Sequence, residues 1–265
     1  MKAVVLAAGR GARMQRGATP AALDPDQRRA ADAGKKALVP FHGHAFLAHG
    51  LSALAEAGVR EACLVVGPGP DPIRAHFERV RTQRISLEFA VQERPTGSAH
   101  ALLAAAGFAG HHPVLVVNAD NLYPPEVVRE VAALEGNGLA GFRASALAAR
   151  GNIPAERIAA FALLEVDEGG CLVDIVEKPG AARLERFGPD PLVSMTLWRF
   201  TPRVFELCRA LEPSVRGEYE LPDAVRGLID ECVRVVPVEA GVLDLTSRGD
   251  IPRVEARLRG SEVRL

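Results

Sequence analysis

Features that would indicate a membrane or nucleic-acid-binding protein are scarce in this 265-residue sequence. Aromatic residues make up only 5% of it and the formal net charge is −1, so a basic, aromatic-rich surface for nucleic acid is not indicated. No apolar run approaches the roughly 20 residues that cross a bilayer, and the apolar stretch at the start is too short for a signal peptide. The sequence therefore predicts a cytoplasmic protein without a nucleic-acid or membrane partner.

Cysteine is also scarce, and its four copies are scattered. There is no C-x-x-C pair of the kind found at metal or redox sites, and Cys63, Cys171 and Cys232 lie in or beside apolar runs. Cysteines in such positions usually behave as small buried hydrophobic residues. We therefore expect reduced, structural thiols in this chain.

The first half of the sequence alternates apolar, strand-like runs with helical patterns. Strands are predicted at residues 3–8, 62–67, 85–91 and 113–117, and helices at 44–57, 71–82, 98–107 and 124–134. This alternation is typical of a parallel sheet whose crossover connections are right-handed.

Strands come closer together in the second half. They are predicted at 138–144, 158–166, 171–176, 192–199 and 233–238, with a hairpin turn at 168–170 and helices at 202–211, 221–231 and 250–259. We therefore predict an α/β fold with a Rossmann-like, mixed but mostly parallel central sheet and helices on both faces. No β-helix repeat follows, so we expect a single domain over residues 1–265 without a C-terminal β-helix.

One stretch, residues 15–34, breaks this alternation. It is rich in alanine and charged residues, contains two prolines and has no strand pattern, although a short helix is predicted at 24–33. A mobile lid and a surface excursion without a role are both compatible with it.

The apolar run at the N-terminus ends in a glycine loop, Gly9-Arg10-Gly11, followed by Arg13 and Arg16. Glycines let backbone N–H groups approach a ligand, and unpaired N–H groups together with arginines favour a phosphate. The carboxyl end of a first strand is also where open α/β sheets bind ligands. The alternative is a strand followed by a basic surface turn.

Charged residues follow several later strands. Asp120 can hold a metal over the ligand cleft or simply form a turn, and Asp244 lies between apolar residues, where a buried carboxylate needs a cationic partner. Two carboxylates together with phosphate oxygens would suit Mg²⁺. Glu177 and Lys178 suit sugar hydroxyls and a phosphate, respectively, or form an exposed charge pair.

The loop that begins at Gln92 connects a strand to a helix. The amide of Gln92 offers both a donor and an acceptor, which suits the edge of a pyrimidine, and Gly97 would let the base lie against the backbone. Ser98 is expected to cap the helix that follows. Histidine offers no comparable pattern, and four histidines in turn-like surroundings are expected at the surface rather than on a metal: His42, His44, His111 and His112.

Together these segments resemble the nucleotide-sugar pyrophosphorylases, the sugar-1-phosphate nucleotidylyltransferases, through nearly the whole chain. The N-terminal LAAGRGARM resembles the family's nucleotide-binding loop, KALVP (36–40) its P-K-x-L-x-P element and QERPTGSAHAL its base-reading loop. NAD (118–120) resembles the metal-binding G-D, EKP (177–179) the sugar-binding signature, GEYELPDAV (217–225) the G-E-x-x-x-x-D segment, and LD (243–244) the second metal contact. All of these segments follow the family's order.

The resemblance implies in-line attack by a sugar-1-phosphate oxygen on the α-phosphorus of UTP or dTTP, with release of pyrophosphate. It implies a glycosyltransferase-A-like nucleotidyltransferase fold with a nucleotide-binding half (1–125) and a sugar-binding half (126–265). The expected partners are these small-molecule substrates, and a homo-oligomer is compatible with the sequence.

Carried over residue by residue, the resemblance also assigns roles. Arg13 and Lys36 would hold the β- and γ-phosphates, and Lys178 would neutralise the sugar phosphate. Asp120 and Asp244 would hold Mg²⁺. The nucleotide would contact Leu6, Ala8, Gly9, Gly11, Gln92, Gly97 and Ser98, and the sugar would contact Glu177, Ala162 and Ser194.

The sequence departs from the family's pattern mainly in the sugar half. Ala119 precedes the first metal-binding Asp in place of Gly, Ala162 stands for the Gly of a Y-G-V element, and Ser194 replaces an Asn that contacts the sugar. Lys35 replaces a proline, and the segment before it is longer. Two alternatives therefore stay open. One is a CTP-dependent cytidylyltransferase acting on a non-sugar phosphate such as phosphocholine or an inositol phosphate, and the other is a catalytically silent nucleotide-sugar sensor.

Overall fold

The computed structural model of the chain describes residues 1–16, 23–180, 185–215 and 217–265. Within these ranges the strands are β1 (Lys2–Leu6), β2 (Pro40–Phe41), β3 (His44–Ala45), β4 (Glu61–Val66), β5 (Ser86–Val91), β6 (Val114–Asn118), β7 (Asn121–Leu122), β8 (Gly138–Arg143), β9 (Ala162–Val166), β10 (Leu172–Val176), β11 (Leu192–Phe200), β12 (Arg234–Val238) and β13 (Leu243–Asp244). The α-helices are α1 (Ala12–Arg16), α2 (Pro25–Asp32), α3 (Phe46–Glu56), α4 (Pro72–Phe77), α5 (Ser98–Ala104), α6 (Ala106–Ala109), α7 (Pro125–Ala132), α8 (Ala144–Arg150), α9 (Arg203–Ala210), α10 (Leu221–Arg226) and α11 (Ile251–Arg257).

Nine of the described strands form one central sheet. Its order is β10-β9-β11-β6-β1-β4-β5, and β8 pairs with β11 and β12. β1 lies parallel to β4 and β6, and β4 lies parallel to β5, as the βαβ alternation predicts. β11 is antiparallel to β6, β8 and β9, whereas β12 is parallel to β8. The predicted α/β fold with a mixed central sheet is confirmed.

Both faces of the sheet are buried. Ala3 and Val5 of β1 belong to the apolar cluster that contains α3 and α7, whereas Val4 belongs to the cluster that contains α5 and α9. A parallel strand covered by helices on both sides needs apolar residues at every position, which explains the uninterrupted run at the N-terminus. No helix in the described residues is long and apolar enough to cross a membrane.

The strand predicted at 158–166 begins later in the structure than the sequence indicated. Residues 158–161 were expected to open the strand that ends at Val166, but most of them lie in a 3₁₀ helix, Ala155–Ala160, and β9 begins only at Ala162. A short apolar run such as this one fits a helical turn as well as a strand, so its periodicity cannot decide between them.

Two predicted helices are shorter than expected. The helix predicted at 71–82 ends at Phe77, and the helix predicted at 221–231 ends at Arg226, with Gly227 as its C-cap and a separate 3₁₀ turn at Ile229–Glu231. Glycine is a weak helix former, so a helix that must cross Gly227 is readily interrupted there.

The expectation of reduced thiols is wrong for two of the cysteines. Cys171 and Cys232 form a disulfide between residues 61 positions apart. Cys171 forms an isolated antiparallel bridge with Arg234, so the chain pairing at the start of β12 brings the two cysteines together. That pairing is long-range, and no local spacing could indicate it. Cys63 and Cys208 are free and buried, as expected.

Thiol titration distinguishes these two pairs. Burial raises the pKa of Cys63 and of Cys208 to about 12, so neither thiol of the folded protein should react with an aromatic disulfide reagent near neutral pH. Unfolding without a reductant should release the two free thiols, and reduction should release all four. Four reactive thiols in the unreduced, unfolded protein would contradict the disulfide.

Candidate active site

A cleft of about 640 Å³ lies at the carboxyl ends of β1, β5 and β6. The glycine loop follows β1, Gln92 follows β5 and Asp120 follows β6. Ligands of open α/β sheets bind at this edge, because neighbouring loops there diverge and leave a crevice. The cleft brings together most of the predicted nucleotide residues with one predicted metal ligand: Leu6, Ala8, Gly9, Gly11, Lys36, Gln92, Gly97, Ser98 and Asp120.

The glycine loop is held by a second segment of the chain. Gly11 has a positive φ of 63°, and a Cβ at this position would overlap the carbonyl oxygen of Gly34. Gly11 is therefore required by a backbone contact within the protein. Gly9 differs, because no atom of the described residues, apart from those of its two chain neighbours, lies within 4 Å of the position its Cβ would take. The open side of the loop is thus at Gly9, which lines the cleft.

The described part of the 15–34 excursion is packed against the protein. Gln27 of α2 is buried and its Nε2 donates to the carbonyl oxygen of Pro40 at 3.2 Å, while Ala31 packs in an apolar cluster with Phe41. Asp32, at the end of α2, pairs with Arg248 at 2.6 Å. The helix predicted here is present, and α2 belongs to the packed body rather than to a lid. Residues 17–22 of the excursion lie outside the described residues.

Lys36 and Asp120 form an ion pair in the cleft. The Nζ of Lys36 lies 2.8 Å from Oδ2 of Asp120, and the two side chains are 18% and 28% exposed. Among the described residues, none donates a hydrogen bond to Oδ1 of Asp120. The carboxylate therefore has one oxygen neutralised by a lysine and one available to a ligand in the cleft.

Asp244 lies next to Asp120, but it is buried behind the cleft. Leu245 N–H donates to the carbonyl oxygen of Asp120 at 2.9 Å, which ties the two segments together. Oδ1 of Asp244 contacts Nη2 of Arg157 at 2.8 Å, and Oδ2 accepts hydrogen bonds from Nδ2 of Asn121 at 3.1 Å and Oγ1 of Thr246 at 3.2 Å. The sequence prediction that Asp244 needs a cationic partner is met here by a guanidinium group.

Arg157 bridges two buried carboxylates. Besides Asp244 it contacts Asp250, with Nη1 2.6 Å from Oδ1, and these two carboxylate side chains are 5% and 3% exposed. Burial raises the pKa of Asp244, the negative charge of Asp120 raises it further, and Arg157 lowers it. The guanidinium group thus favours the ionised form of Asp244 in an environment that otherwise disfavours its charge.

The carboxylates fit a divalent cation by donor chemistry. Asp120 has an oxygen open to the cleft, and the effect of Asp120 on the pKa of Asp244 places two negative charges close together. An oxygen-preferring cation between them would relieve that repulsion. Asp120 is ready to serve as a ligand, whereas Asp244 would have to share its carboxylate with Arg157. Among the described residues there is no cluster of three or more His, Cys, Asp and Glu side chains around one point.

Gln92 is oriented by the loop that it was predicted to belong to. It is 5% exposed, and its Nε2 donates to the carbonyl oxygen of Gly97 at 2.9 Å. Gly97 has a φ of 113°, and a Cβ there would overlap the backbone of Tyr219. This close approach between two protein segments is sufficient reason for glycine at 97, in addition to the contact with a base that the sequence predicted.

The expected role of Ser98 as a helix cap is wrong. Gly97 is the N-cap residue of α5 and no side chain caps this helix, whereas Oγ of Ser98 accepts a hydrogen bond from Leu221 N–H at 2.9 Å. The serine is therefore used to attach the start of α10 to the wall of the cleft.

A family model described as nucleotidyl transferase matches residues 30–240. The chain belongs to the nucleotidyl transferase family. The match covers the floor of the cleft from Lys36 to Asp120 and extends through β12.

Named relatives agree with this membership. The chain is 28% identical to the glucose-1-phosphate thymidylyltransferase of Streptomyces griseus over 233 residues, 87% of this chain and 58% of that protein. It is 26% identical to the UTP–glucose-1-phosphate uridylyltransferase AglF of Haloferax volcanii over 261 residues, 98% of this chain and 97% of that protein. For several curated relatives the chain spans only 58% of their length.

A solved structure shares the fold. A putative glucose-1-phosphate thymidylyltransferase from Bacillus anthracis superposes with a TM-score of 0.74, at 18% identity, over 98% of this chain and 96% of that one.

The predicted sugar residues of this nucleotidyl transferase lie outside the cleft lining. Glu177 and Lys178 follow β10 and are exposed, and Lys178 has a positive φ of 44°. Ala162 and Ser194 are paired across β9 and β11, and both are buried. The structure therefore groups Ala162 with Ser194 at the sheet and Glu177 with Lys178 at its end, apart from the nucleotide residues.

The strand that carries Ser194 is irregular just beyond it. β11 loses its register with β8 between Ser194 and Trp198, and Thr196 within this bulge has a φ of 59°. The hydroxyl of Tyr123 lies 2.7 Å from the carbonyl oxygen of Met195 and 3.1 Å from that of Thr196, so its one hydrogen is shared between them and fixes the bulge. A β-branched residue with positive φ is unusual.

Sequence reasoning assigned no function to two residues of this nucleotidyl transferase that contact or support the cleft, Lys35 and Arg157. Of the arginines predicted to favour a phosphate, Arg10 lines the cleft with Lys35, whereas Arg13 lies on α1, exposed and outside the lining. Lys35 was visible only as a departure from a pattern. Arg157 gave no signal, because its two partners are distant in sequence. The histidines expected at the surface are exposed: His42, His44, His111 and His112.

Proposed function

We propose that this protein transfers a nucleotidyl group from UTP or dTTP to a sugar-1-phosphate, forming a nucleoside-diphosphate sugar and pyrophosphate. The observation that carries the proposal is the cleft in which the glycine loop, the Lys36–Asp120 pair and Gln92 lie together. The thymidylyl- and uridylyltransferase names of two relatives support the same reaction.

The orientation of Gln92 favours uracil or thymine. Nε2 donates one of its two hydrogens to Gly97, so Oε1 remains as an acceptor and the second N–H as a donor for a ligand. Uracil and thymine would satisfy these two groups with N3–H and the C4 carbonyl oxygen, whereas cytosine in the same pose sets its N3 acceptor against Oε1. Two acceptors facing each other in a buried site leave both unsatisfied, which disfavours the CTP-dependent alternative.

The reaction requires positioning more than covalent chemistry. An oxygen of the sugar phosphate attacks the α-phosphorus in line, and the bond to the β-phosphate breaks as pyrophosphate leaves. Lys36 neutralises charge on the β- and γ-phosphates, and the open backbone at Gly9 lets the phosphate chain approach the loop. Arg13 is proposed to contact the same phosphates by turning its exposed side chain from α1 toward the cleft, which it does not line in this structure.

Asp120 is the residue that would hold Mg²⁺ in the cleft, with Asp244 as the second carboxylate. The cation would supply charge neutralisation at the α-phosphate. Arg157 orients Asp244 from behind through the 2.8 Å contact, and Lys36 holds the Oδ2 side of Asp120. The protein groups thus fix both carboxylates before substrate arrives.

The second half of the chain, residues 126–265, is proposed to bind the sugar phosphate, and residues 1–125 to bind the nucleotide. Lys178 neutralises the sugar phosphate and Glu177 accepts hydrogen bonds from sugar hydroxyls, while Ala162 and Ser194 lie beside the sugar. Ser194 is shorter than the Asn of the family's pattern, so the acceptor differs from that pattern on this side.

Pyrophosphate release tests the proposal directly. The protein would be assayed with Mg²⁺ across five triphosphates and a panel of sugar-1-phosphates, with phosphocholine and an inositol phosphate as further acceptors. Release with UTP or dTTP and one sugar-1-phosphate is expected. Release only with CTP and a non-sugar phosphate would replace the proposal, and triphosphate binding without any release would favour a silent sensor.

Base choice should depend on Gln92. Replacing it with alanine is expected to lower the kcat/KM preference for UTP over CTP by roughly 10-fold, because the acceptor that opposes cytosine is removed, while kcat with saturating UTP changes little. Gln83→Ala is a matched control, since Gln83 is exposed and outside the cleft lining. An unchanged preference in Gln92→Ala would mean that the base is recognised elsewhere.

A further inference from the structure

Lys35 places a second ammonium group in the nucleotide cleft. It lines the cleft next to Lys36, and its side chain is 33% exposed. Among the described residues, no atom accepts a hydrogen bond from its Nζ. The nearest counter-charge is Oδ2 of Asp71, 3.9 Å away, which is too far for a direct hydrogen bond.

The backbone at Lys35 is fixed by the end of α2. Gly34 N–H donates to the carbonyl oxygen of Ala31 and Lys35 N–H to that of Ala30, both at 3.0 Å, and Gly34 has a φ of 68°. This is the Schellman arrangement that commonly ends a helix. Because Gly34 also packs against Gly11, the same turn joins α2 to the glycine loop. The 15–34 excursion thus ends beside the glycine loop, and this turn places Lys35 next to the loop that is proposed to bind phosphates.

Asp71 keeps Lys35 in the cleft without neutralising it strongly. Oδ1 of Asp71 is used to cap α4, accepting from Ile73 N–H at 2.8 Å, and the side chain is 6% exposed. Lys35 is thus the flexible partner of a fixed carboxylate. A phosphate oxygen could contact its ammonium group at a shorter distance than Asp71 does, and charge-assisted bonds of this kind are among the stronger ones in proteins.

We propose that Lys35 binds the phosphate chain of the nucleotide, exchanging its loose pairing with Asp71 for a phosphate oxygen. The inference deepens the proposed function and rests on it. It gives the excursion a role that neither a lid nor an idle surface segment would have.

The test compares ligands that differ only in phosphate number. Calorimetric titration with uridine, UMP, UDP and UTP, at fixed Mg²⁺ and without an acceptor, would be made on the wild type and on Lys35→Met. The Kd for UTP is expected to rise roughly 10-fold in the variant, with the Kd for uridine unchanged. The ligand with the fewest phosphates that binds more weakly to Lys35→Met than to the wild type identifies the phosphate that Lys35 contacts. Lys35→Arg keeps the positive charge and should retain most of the affinity for UTP.

Asp71→Asn is the matched variant with the opposite expected sign. Asparagine caps a helix as well as aspartate does, so α4 should be retained while Lys35 loses its counter-charge. UTP should then bind more tightly, and this gain should disappear in the double variant with Lys35→Met.

The outcomes separate this inference from the proposed function. An equal loss for uridine and UTP in Lys35→Met, or no loss for either, would overturn the role of Lys35 while leaving the proposed function intact. A wild type that binds none of the four ligands, and no dTTP, would overturn both.

Discussion

Asp120→Asn is expected to lower turnover by roughly 10³-fold with the fold intact, because it removes the charge that holds a cation against the reacting phosphate. Asparagine has the same shape and still offers an oxygen to Lys36, whose Nζ lies 2.8 Å from the carboxylate. Since Asp120 is partly exposed, losing the ion pair itself should change the free energy of unfolding by less than about 1 kcal/mol. The measurement is steady-state pyrophosphate release, with urea unfolding to verify the fold.

Asp174→Asn is a matched control for this experiment. Asp174 is also a partly exposed aspartate in an ion pair, 3.3 Å from Arg226, but it lies outside the cleft lining. Its substitution should leave turnover within a few-fold of the wild type. The affinity for Mn²⁺, measured directly by titration, should also fall in Asp120→Asn but not in the control variant. Turnover like that of the wild type in Asp120→Asn would remove Asp120 from the proposed chemistry.

The nucleotide side of the cleft could be predicted because its signals are local. The glycine loop, Gln92 and Asp120 each follow a parallel strand directly, so identifying the strands was enough to place them at one edge of the sheet. The apolar runs that mark β1 and β6 are almost fully buried, which makes their positions hard to mistake, whereas β5 is an edge strand and is only partly buried.

Partners that are distant in sequence could not be predicted in this way. Cys171 and Cys232 join only because β10 and β12 begin side by side, and Arg157 reaches Asp244 across 87 positions. Residues 158–161, which follow Arg157 directly, are predicted as the start of a strand, whereas Arg157 and most of these residues lie in a 3₁₀ helix. The partners of such residues are determined by tertiary packing rather than by the residues next to them in the sequence.

The glycines of the cleft illustrate a related limit of prediction from the sequence. Gly97 was expected to make room for a base, yet the contact that excludes a side chain there is with the backbone of Tyr219. Gly11 likewise meets Gly34, while Gly9 has open space beside it. A glycine motif in the sequence thus combines residues required by the ligand with residues required by chain packing, and only the structure separates them.

Arg157→Met should be the most destabilising substitution among those proposed, by about 3–5 kcal/mol in the free energy of unfolding. Methionine fills a similar volume but leaves Asp244 and Asp250, both nearly fully buried, without their shared cation. The pKa of Asp244 is already raised by burial and would rise further without the guanidinium group. A carboxyl group whose pKa is raised by folding binds more protons in the folded state, so its contribution to stability falls as pH rises. The deficit of Arg157→Met, measured by urea unfolding, should therefore be larger at pH 8 than at pH 5.

Arg226→Met is the matched control, because Arg226 also bridges two carboxylates, Asp223 at 2.6 Å and Asp174 at 3.3 Å. Those side chains are substantially exposed, and water can replace the lost contacts, so the expected loss is below about 1 kcal/mol with little dependence on pH. Adding Asp244→Asn to Arg157→Met should recover part of the stability, because the unpaired charge is removed along with its partner. Equal, small losses in the two arginine variants would mean that the carboxylates beside Arg157 do not depend on it for their charge, and Arg157 would then have no part in orienting Asp244.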